Sequence, residues 1–231
     1  MLSVNGFRAA LRYLTMFKEG MICTVSLSFL TVVFGFLLAL VLALMRMSRV
    51  KPLSIFASIY VEVFRATPML VQLFIIYYIV FGGVSLPSFK LFGFIRFERF
   101  LPGVISLALN SAAYLSEIIR AGIESVDKGQ MEAARSLGLP YWKAMYKVVL
   151  PQAIRTMIPS IINQFIITLK DTSILSVIGF PELVNTAKNV NANIMRSLEV
   201  WFIVGVMYLI VITLLSRFAK RMERRLNRGR Q

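Results

Sequence analysis

Histidine is absent from the 231 residues, and cysteine occurs once, as Cys23. The first absence removes the commonest general base and metal ligand. The second excludes an internal disulfide and a cysteine-built zinc site, and together they leave no material for a nucleophilic triad. No G-x-x-x-x-G-K-[ST] phosphate loop occurs either, so any ATP that drives this protein is expected on another subunit. Acidic residues are scarce: 11 Asp and Glu stand against 26 Lys and Arg, for a formal charge of +15. Nucleic-acid binders carry such an excess, but here the basic residues fall where membrane topology puts them and not along a groove.

What is plentiful is apolar. Hydrophobic residues make up 58% of the chain, and the mean hydropathy is +0.73. Globular chains average under half apolar and about a quarter charged, so this composition indicates an integral membrane protein. A hydrocarbon core about 30 Å thick takes roughly 20 apolar residues per helix. The length then allows about five crossings and no soluble catalytic domain, which predicts a single all-α membrane domain.

Residues 1–19 mix Phe7, Leu11, Leu14 and Phe17 with Arg8, Arg12 and Lys18, the pattern of an amphipathic surface helix. No short apolar core with a small-residue cleavage site follows, so the first span is expected to be retained. Five spans are predicted: Met21–Met45, Leu53–Val80, Leu101–Ile123, Ile154–Leu175 and Leu198–Phe218. With five, Arg46, Arg49 and Lys51, the basic residues from Arg120 to Arg155, and a basic tail over 219–231 share one side. That side is the cytoplasm by the positive-inside rule, which puts the N-terminus outside and the C-terminus inside. Arg8, Arg12 and Lys18 run against the rule, and an even number of spans would reverse the N-terminus. Of the outer segments, Gly82 to Phe100 reads as a compact surface loop. Gly179 to Arg196 reads either as a short outer helix touching an extracytoplasmic protein or as a solvated connector.

The most polar internal segment, about 124–151, reads as a docking loop. Its residues Glu132, Ala133, Ala134, Arg135, Ser136, Leu137 and Gly138 predict a short helix. The paired alanines leave a smooth face for another protein, and Gly138 permits the turn that ends the helix. Further on, Val149, Leu150 and Pro151 follow, with Pro151 suited to the first turn of the next helix. Such a helix is too short to be stable alone and needs packing partners.

Inside the membrane, Glu62 and Arg65 are three apart and share a helix face. Each costs about 2.5–3.5 kcal/mol at mid-bilayer, which favours a protein-lined or watery setting. Pro68 removes a helix hydrogen bond and frees carbonyls toward a cavity. Asn110, Asn163, Gln164, Lys170 and Asp171 are further polar candidates for that cavity. A free amino acid needs a cation for its carboxylate, for which Arg65 is the candidate, and an acid for its ammonium, for which Glu62 or Asp171 is. The structural alternatives are that Glu62 and Arg65 neutralise each other or tie two subunits together, and that Lys170 and Asp171 cap a helix end. Glu117 and Arg120, near the inner end of the third span, read as snorkelling structural charges.

The docking segment resembles the EAA loop of ABC-importer permeases: Glu132-Ala133-Ala134, then Gly138, then Leu150-Pro151, preceded by Lys128-Gly129. Three more blocks carry the likeness to the polar amino acid uptake branch: Glu62 to Pro68, Asn110 to Gly122, and Lys170 to Ser173. Ala66 stands where that branch more often has Gly. The resemblance covers nearly the whole chain and implies the type I importer transmembrane fold and a dimer of like or similar permeases. It also implies a separate ABC ATPase that holds the ATP and Mg, and an extracytoplasmic binding protein, in the cytoplasmic membrane of a prokaryote. In this picture Glu132, Ala133, Ala134, Arg135, Gly138 and Pro151 couple to the ATPase. Glu62, Arg65, Asn110 and Asp171 are carried over as candidate contacts to a polar amino acid such as glutamine, cystine or a basic one. The chain itself performs no covalent chemistry and holds no cofactor, metal or nucleic acid in this account. The rivals are an ion-gradient-driven secondary transporter, which would usually be longer and internally repeated, and a membrane scaffold, which has no use for intramembrane Glu, Arg and Asn.

Overall fold

The computed structural model describes residues 3–91 and 95–227. Helix α1 (Val4–Leu11) starts at Ser3, whose hydroxyl oxygen accepts from the Gly6 N–H. Tyr13 leaves helical geometry, and α2 then runs unbroken from Leu14 to Arg46. The surface helix expected over 1–19 is thus divided at Tyr13, and residues from Leu14 on belong to the first long helix. Rather than standing apart, α1 is fastened to the last helix of the chain. The Ser3 N–H donates to Glu199 Oε1 at 3.0 Å, and Phe7 meets Phe202 edge to face.

Among the described residues four helices are long and apolar enough to cross a membrane: Leu14–Arg46, Phe97–Glu124, Tyr141–Ile178 and Ser197–Arg224. They contain four of the five expected spans. The remaining one, Leu53–Val80, is a bent pair of helices and not one continuous helix, and it makes a fifth crossing if the pair is one broken span. Helix α3 (Lys51–Ala66) stops at Thr67 and Pro68, both extended, and α4 (Met69–Phe74) leaves at 110° to it before ending in a π-helical turn over Ile75–Val80. Proline pushes the residue before it out of the α region and has no N–H of its own, so two residues are lost to the helix and not one hydrogen bond.

A two-residue hairpin, β1 (Lys90–Leu91) against β2 (Ile95–Arg96), leads into α5 (Phe97–Glu124). After α5 come α6 (Lys128–Ser136) and α7 (Tyr141–Ala144). A second π-helical turn, Met145–Val149, joins α7 to α8 (Leu150–Asp171), which tightens into a 3-10 turn at Thr172–Ile178. Helix α9 (Leu183–Ile194) forms the short helix anticipated between Gly179 and Arg196, and α10 (Ser197–Asn227) completes the fold. The basic residues Lys220, Arg221 and Arg224 continue α10, while Arg228 and Arg230 of the expected tail lie outside the described residues.

Helix α5 is the hub, and α2, α3 and α8 pack around it. The α2–α5 seam uses small buried residues, Ala39 and Ala43 against Ala112, which let the backbones approach closely. Two apolar clusters lie along α5, one with Leu73, Leu107 and Phe180, the other with Leu42, Leu115 and Met157. A third joins α1 and α2 to α9 and α10 through Phe17, Leu183 and Val200. Large apolar side chains such as Phe29, Phe34, Phe56 and Leu209 stay exposed, the surface a bilayer or a membrane partner covers.

Candidate functional site

The break at Pro68 exposes backbone carbonyls that need donors. Gln72, buried one turn into α4, supplies them. Its amide donates to Phe64 O at 2.8 Å, Thr67 O at 3.0 Å and Thr67 Oγ1 at 2.7 Å. Asn110 on α5 completes the arrangement by donating to Gln72 Oε1 at 2.9 Å. Asn110 is therefore buried behind the broken helix as a brace.

On the other side of α3 lies a cavity of about 490 Å³, within the size range of small-molecule pockets. Arg46, Ser58, Glu62, Arg65, Tyr114 and Glu117 are among its lining residues. Glu117 is the electrostatic centre. Its carboxylate accepts from Arg46 at the end of α2 and from Arg120 at 2.5 Å, and Arg65 stands 3.9 Å away. Arg120 also binds Glu124 at 2.8 Å, one turn on. Three guanidinium groups thus converge on Glu117, with Glu124 as a second carboxylate for Arg120, and Glu62 brings the charges around this cavity to balance. Arg65 is the least committed of the three: its side chain is 46% exposed, and its guanidinium carbon lies 5.6 Å from the centre of the Tyr114 ring. Glu62 faces the same space, and among the described residues no lysine or arginine pairs with it.

Of the four residues singled out for substrate, the structure brings Glu62 and Arg65 to this cavity. Asn110 lies in the brace, and half-buried Asp171 ends α8 without lining the cavity. The expectation that Glu62 and Arg65 neutralise each other does not hold, because Arg65 turns to Glu117. Nor does Glu117 snorkel away: it joins α2, α3 and α5. The signal available in the sequence was the spacing of Asn110, Tyr114 and Glu117, which share one face of α5. What hid the role was that the partner Arg46 lies 71 residues away.

The polar loop after α5 forms a second candidate site. Asp127 caps α6, its carboxylate accepting from the Gly129 N–H at 2.6 Å. At the far end Gly138 has φ +85, and the Leu139 N–H reaches Ala134 O at 3.2 Å while the Gly138 N–H reaches Arg135 O at 2.9 Å. This is a Schellman closure, for which glycine at the left-handed position is the natural residue. The paired alanines divide: Ala134 is buried against the chain's own α7 side, and Ala133 is exposed with Glu132 and Arg135. Leu137, at the end of α6, is 85% exposed. Together with Tyr141, Trp142 and Tyr146 it makes an apolar, aromatic surface beside the most polar part of the chain. Pro151 stands in the first turn of α8, as expected. It follows the π-helical turn inside one continuous helical run, where the Leu150 N–H bonds to Met145 O, and it is exposed.

The family of binding-protein-dependent transport system inner membrane components matches residues 31–228. The arginine transport system permease protein ArtQ of Bacillus subtilis (strain 168) is 38% identical over 220 residues, spanning 95% of this chain and 96% of that protein. The L-cystine transport system permease protein TcyB of the same strain is 42% identical over 210 residues, 90% of this chain and 86% of TcyB. A crystal structure of an amino acid ABC transporter with histidines has a chain that superposes with a TM-score of 0.87 at 41% identity, covering 97% of this chain and all of that one.

Proposed function

Because the chain belongs to the binding-protein-dependent transport system inner membrane component family, we propose that it is the membrane subunit of an ATP-driven importer of a polar amino acid. Glutamine, cystine and the basic amino acids are the substrates this reading favours. Two permease subunits, identical or similar, frame the path in the cytoplasmic membrane of a prokaryote. Their N-termini face outward, and α6 faces the cytoplasm. An ATPase subunit carries the ATP and Mg and seats on α6, and an extracytoplasmic binding protein delivers the substrate. Closure of the ATPase pair moves α6, the two permeases rock from inward to outward, and hydrolysis resets them.

The observation that carries this reading is the outward face of α6 and its flank: Glu132, Ala133, Arg135 and Leu137, with Trp142 and Tyr146 beside them. Exposed aromatics at the edge of a polar helix are the composition of an interface core. The cavity supports the substrate class. In this reading Arg65 takes a carboxylate and Glu62 an ammonium, supported by their lining one cavity with Tyr114. Affinity purification of the tagged chain from native membranes in mild detergent is the test. A co-eluting ATPase with measurable hydrolysis supports the reading, and a lone oligomer without ATPase refutes it.

A further inference from the structure

A smaller cavity of about 240 Å³ lies near the start of α5 and the π-helical turn that ends α4. Its lining includes Tyr77, Tyr78, Phe81, Leu86 and Glu98. Tyr77 and Tyr78 stand perpendicular to each other with ring centres 5.0 Å apart, and Phe74 supports Tyr78 at 5.7 Å. The π-helical turn, closed by the Phe81 N–H on Ile76 O at 3.1 Å, belongs to the irregular helix geometry often found at functional sites. The chain then folds back so tightly that a side chain at Gly82 would come within 2.0 Å of Tyr78 O. Among the described residues Glu98 is the only charged one lining the cavity, and no lysine or arginine pairs with it.

Aromatic faces carry negative potential, and a carboxylate beside them adds a full charge. That combination attracts a cation that gives up its water easily. An anion is repelled, and a neutral group has at most a hydrogen bond to gain from Glu98, without the charge attraction. The volume suits one ammonium or guanidinium group with its first methylenes and is below the range for a whole drug-sized ligand. Glu98 is 16 residues before Tyr114, about 24 Å along α5, so this space is separate from the cavity at Glu62. It also lies at the opposite end of α5 from α6, about 40 Å away.

We propose that Tyr77, Tyr78, Phe81 and Glu98 form a binding site for an alkylammonium or guanidinium group. Two sources supply that chemistry: the α-ammonium of a dissolved amino acid, and a lysine or arginine side chain on a protein that docks at this end. The assignment does not depend on the importer reading, since it rests on this cavity alone.

The test is a ligand-observed NMR titration of the full chain in maltoside micelles, whose headgroups are uncharged. Tetramethylammonium is the probe, and tert-butanol is its neutral counterpart of similar shape. Tetramethylammonium binds and tert-butanol does not. Glu98→Gln weakens the probe about tenfold and Tyr78→Leu about fivefold, whereas Tyr78→Phe, which keeps the π face, stays within about twofold. The Phe variant also guards against misfolding, since it leaves the packing of the turn intact. Competition by glutamine marks the dissolved source, and competition by acetyl-lysine-amide alone marks a protein side chain. Equal binding of both probes overturns the assignment. So does binding that survives Glu98→Gln and Tyr78→Leu but falls with Glu62→Gln, because the cation then sits in the other cavity.

Discussion

Glu117 illustrates what a single residue decides in a membrane protein. Its carboxylate gathers Arg46, Arg65 and Arg120 from three helices, and its side chain is 25% exposed, so water screens the cluster only in part. Glu117→Gln leaves Arg46 and Arg65 with no carboxylate and Arg120 with Glu124 alone. The expected loss is about 2 kcal/mol, below the 3–5 kcal/mol of a fully buried pair because solvent reaches this one. Thermal unfolding in detergent checks it: Glu117→Gln should melt well below Glu62→Gln, whose carboxylate has no ion-pair partner among the described residues. Gln72 works by a different rule. Truncating it to Ala strands the carbonyl of Thr67 and leaves the Asn110 amide and the Phe64 carbonyl only their long mutual bond of 3.5 Å, at about 1–3 kcal/mol for an unsatisfied buried group. Asn110→Ala should cost less, since Gln72 keeps its donors, and the same melting assay ranks the two.

At the scale of elements, helix ends carry the predictions. Helix α6 is held at both termini, by Asp127 and by the left-handed Gly138. Gly138→Val puts a β-branched residue at φ +85, where an ordinary side chain costs about 1–2 kcal/mol and a branched one more. Membrane insertion should be unaffected, while co-purifying ATPase drops severalfold on a pull-down. Helix α9 gives a pH signature. Glu182 is fully buried and caps α9, its oxygens accepting from Asn185 N at 2.6 Å and Val184 N at 2.8 Å. Burial pushes its carboxyl up to about 7, against the lowering by those two N–H groups and by Lys188. The folded chain therefore keeps a proton that the unfolded chain releases at the ordinary carboxylate value, about 4.3. Between that value and about 7 the folded state holds more protons, so its stability falls as pH rises and levels off above. Glu182→Gln should flatten this slope in melting curves taken at intervals from pH 5 to 8.

At the scale of the whole molecule, much of the fold was legible in the sequence because the bilayer leaves few options. Long apolar runs must be helices, and four of them are. The docking helix was legible too, since Glu132-Ala133-Ala134 and Gly138 carry their local geometry with them. What escaped was set by distant contacts. Pro68 announces an irregularity, but whether a helix bends or breaks depends on donors elsewhere, here Gln72 and Asn110. Likewise Arg46 and Glu117 meet only through the packing of α2 on α5, so Arg65 was paired with its neighbour Glu62 on periodicity alone. Asp171 is a substrate candidate by its charge and by resemblance, and no local pattern tells which way the end of α8 points.

The central claim is that this chain moves an amino acid at the expense of ATP held by another subunit. Uptake of labelled glutamine, cystine and arginine into proteoliposomes tests it, using the co-purified complex, a binding protein outside and ATP supplied on the α6 side. The account predicts uptake of at least one of these that requires ATP, persists when ionophores collapse every ion gradient, and falls severalfold with Gly138→Val. Uptake that follows an imposed ion gradient without ATP would contradict it.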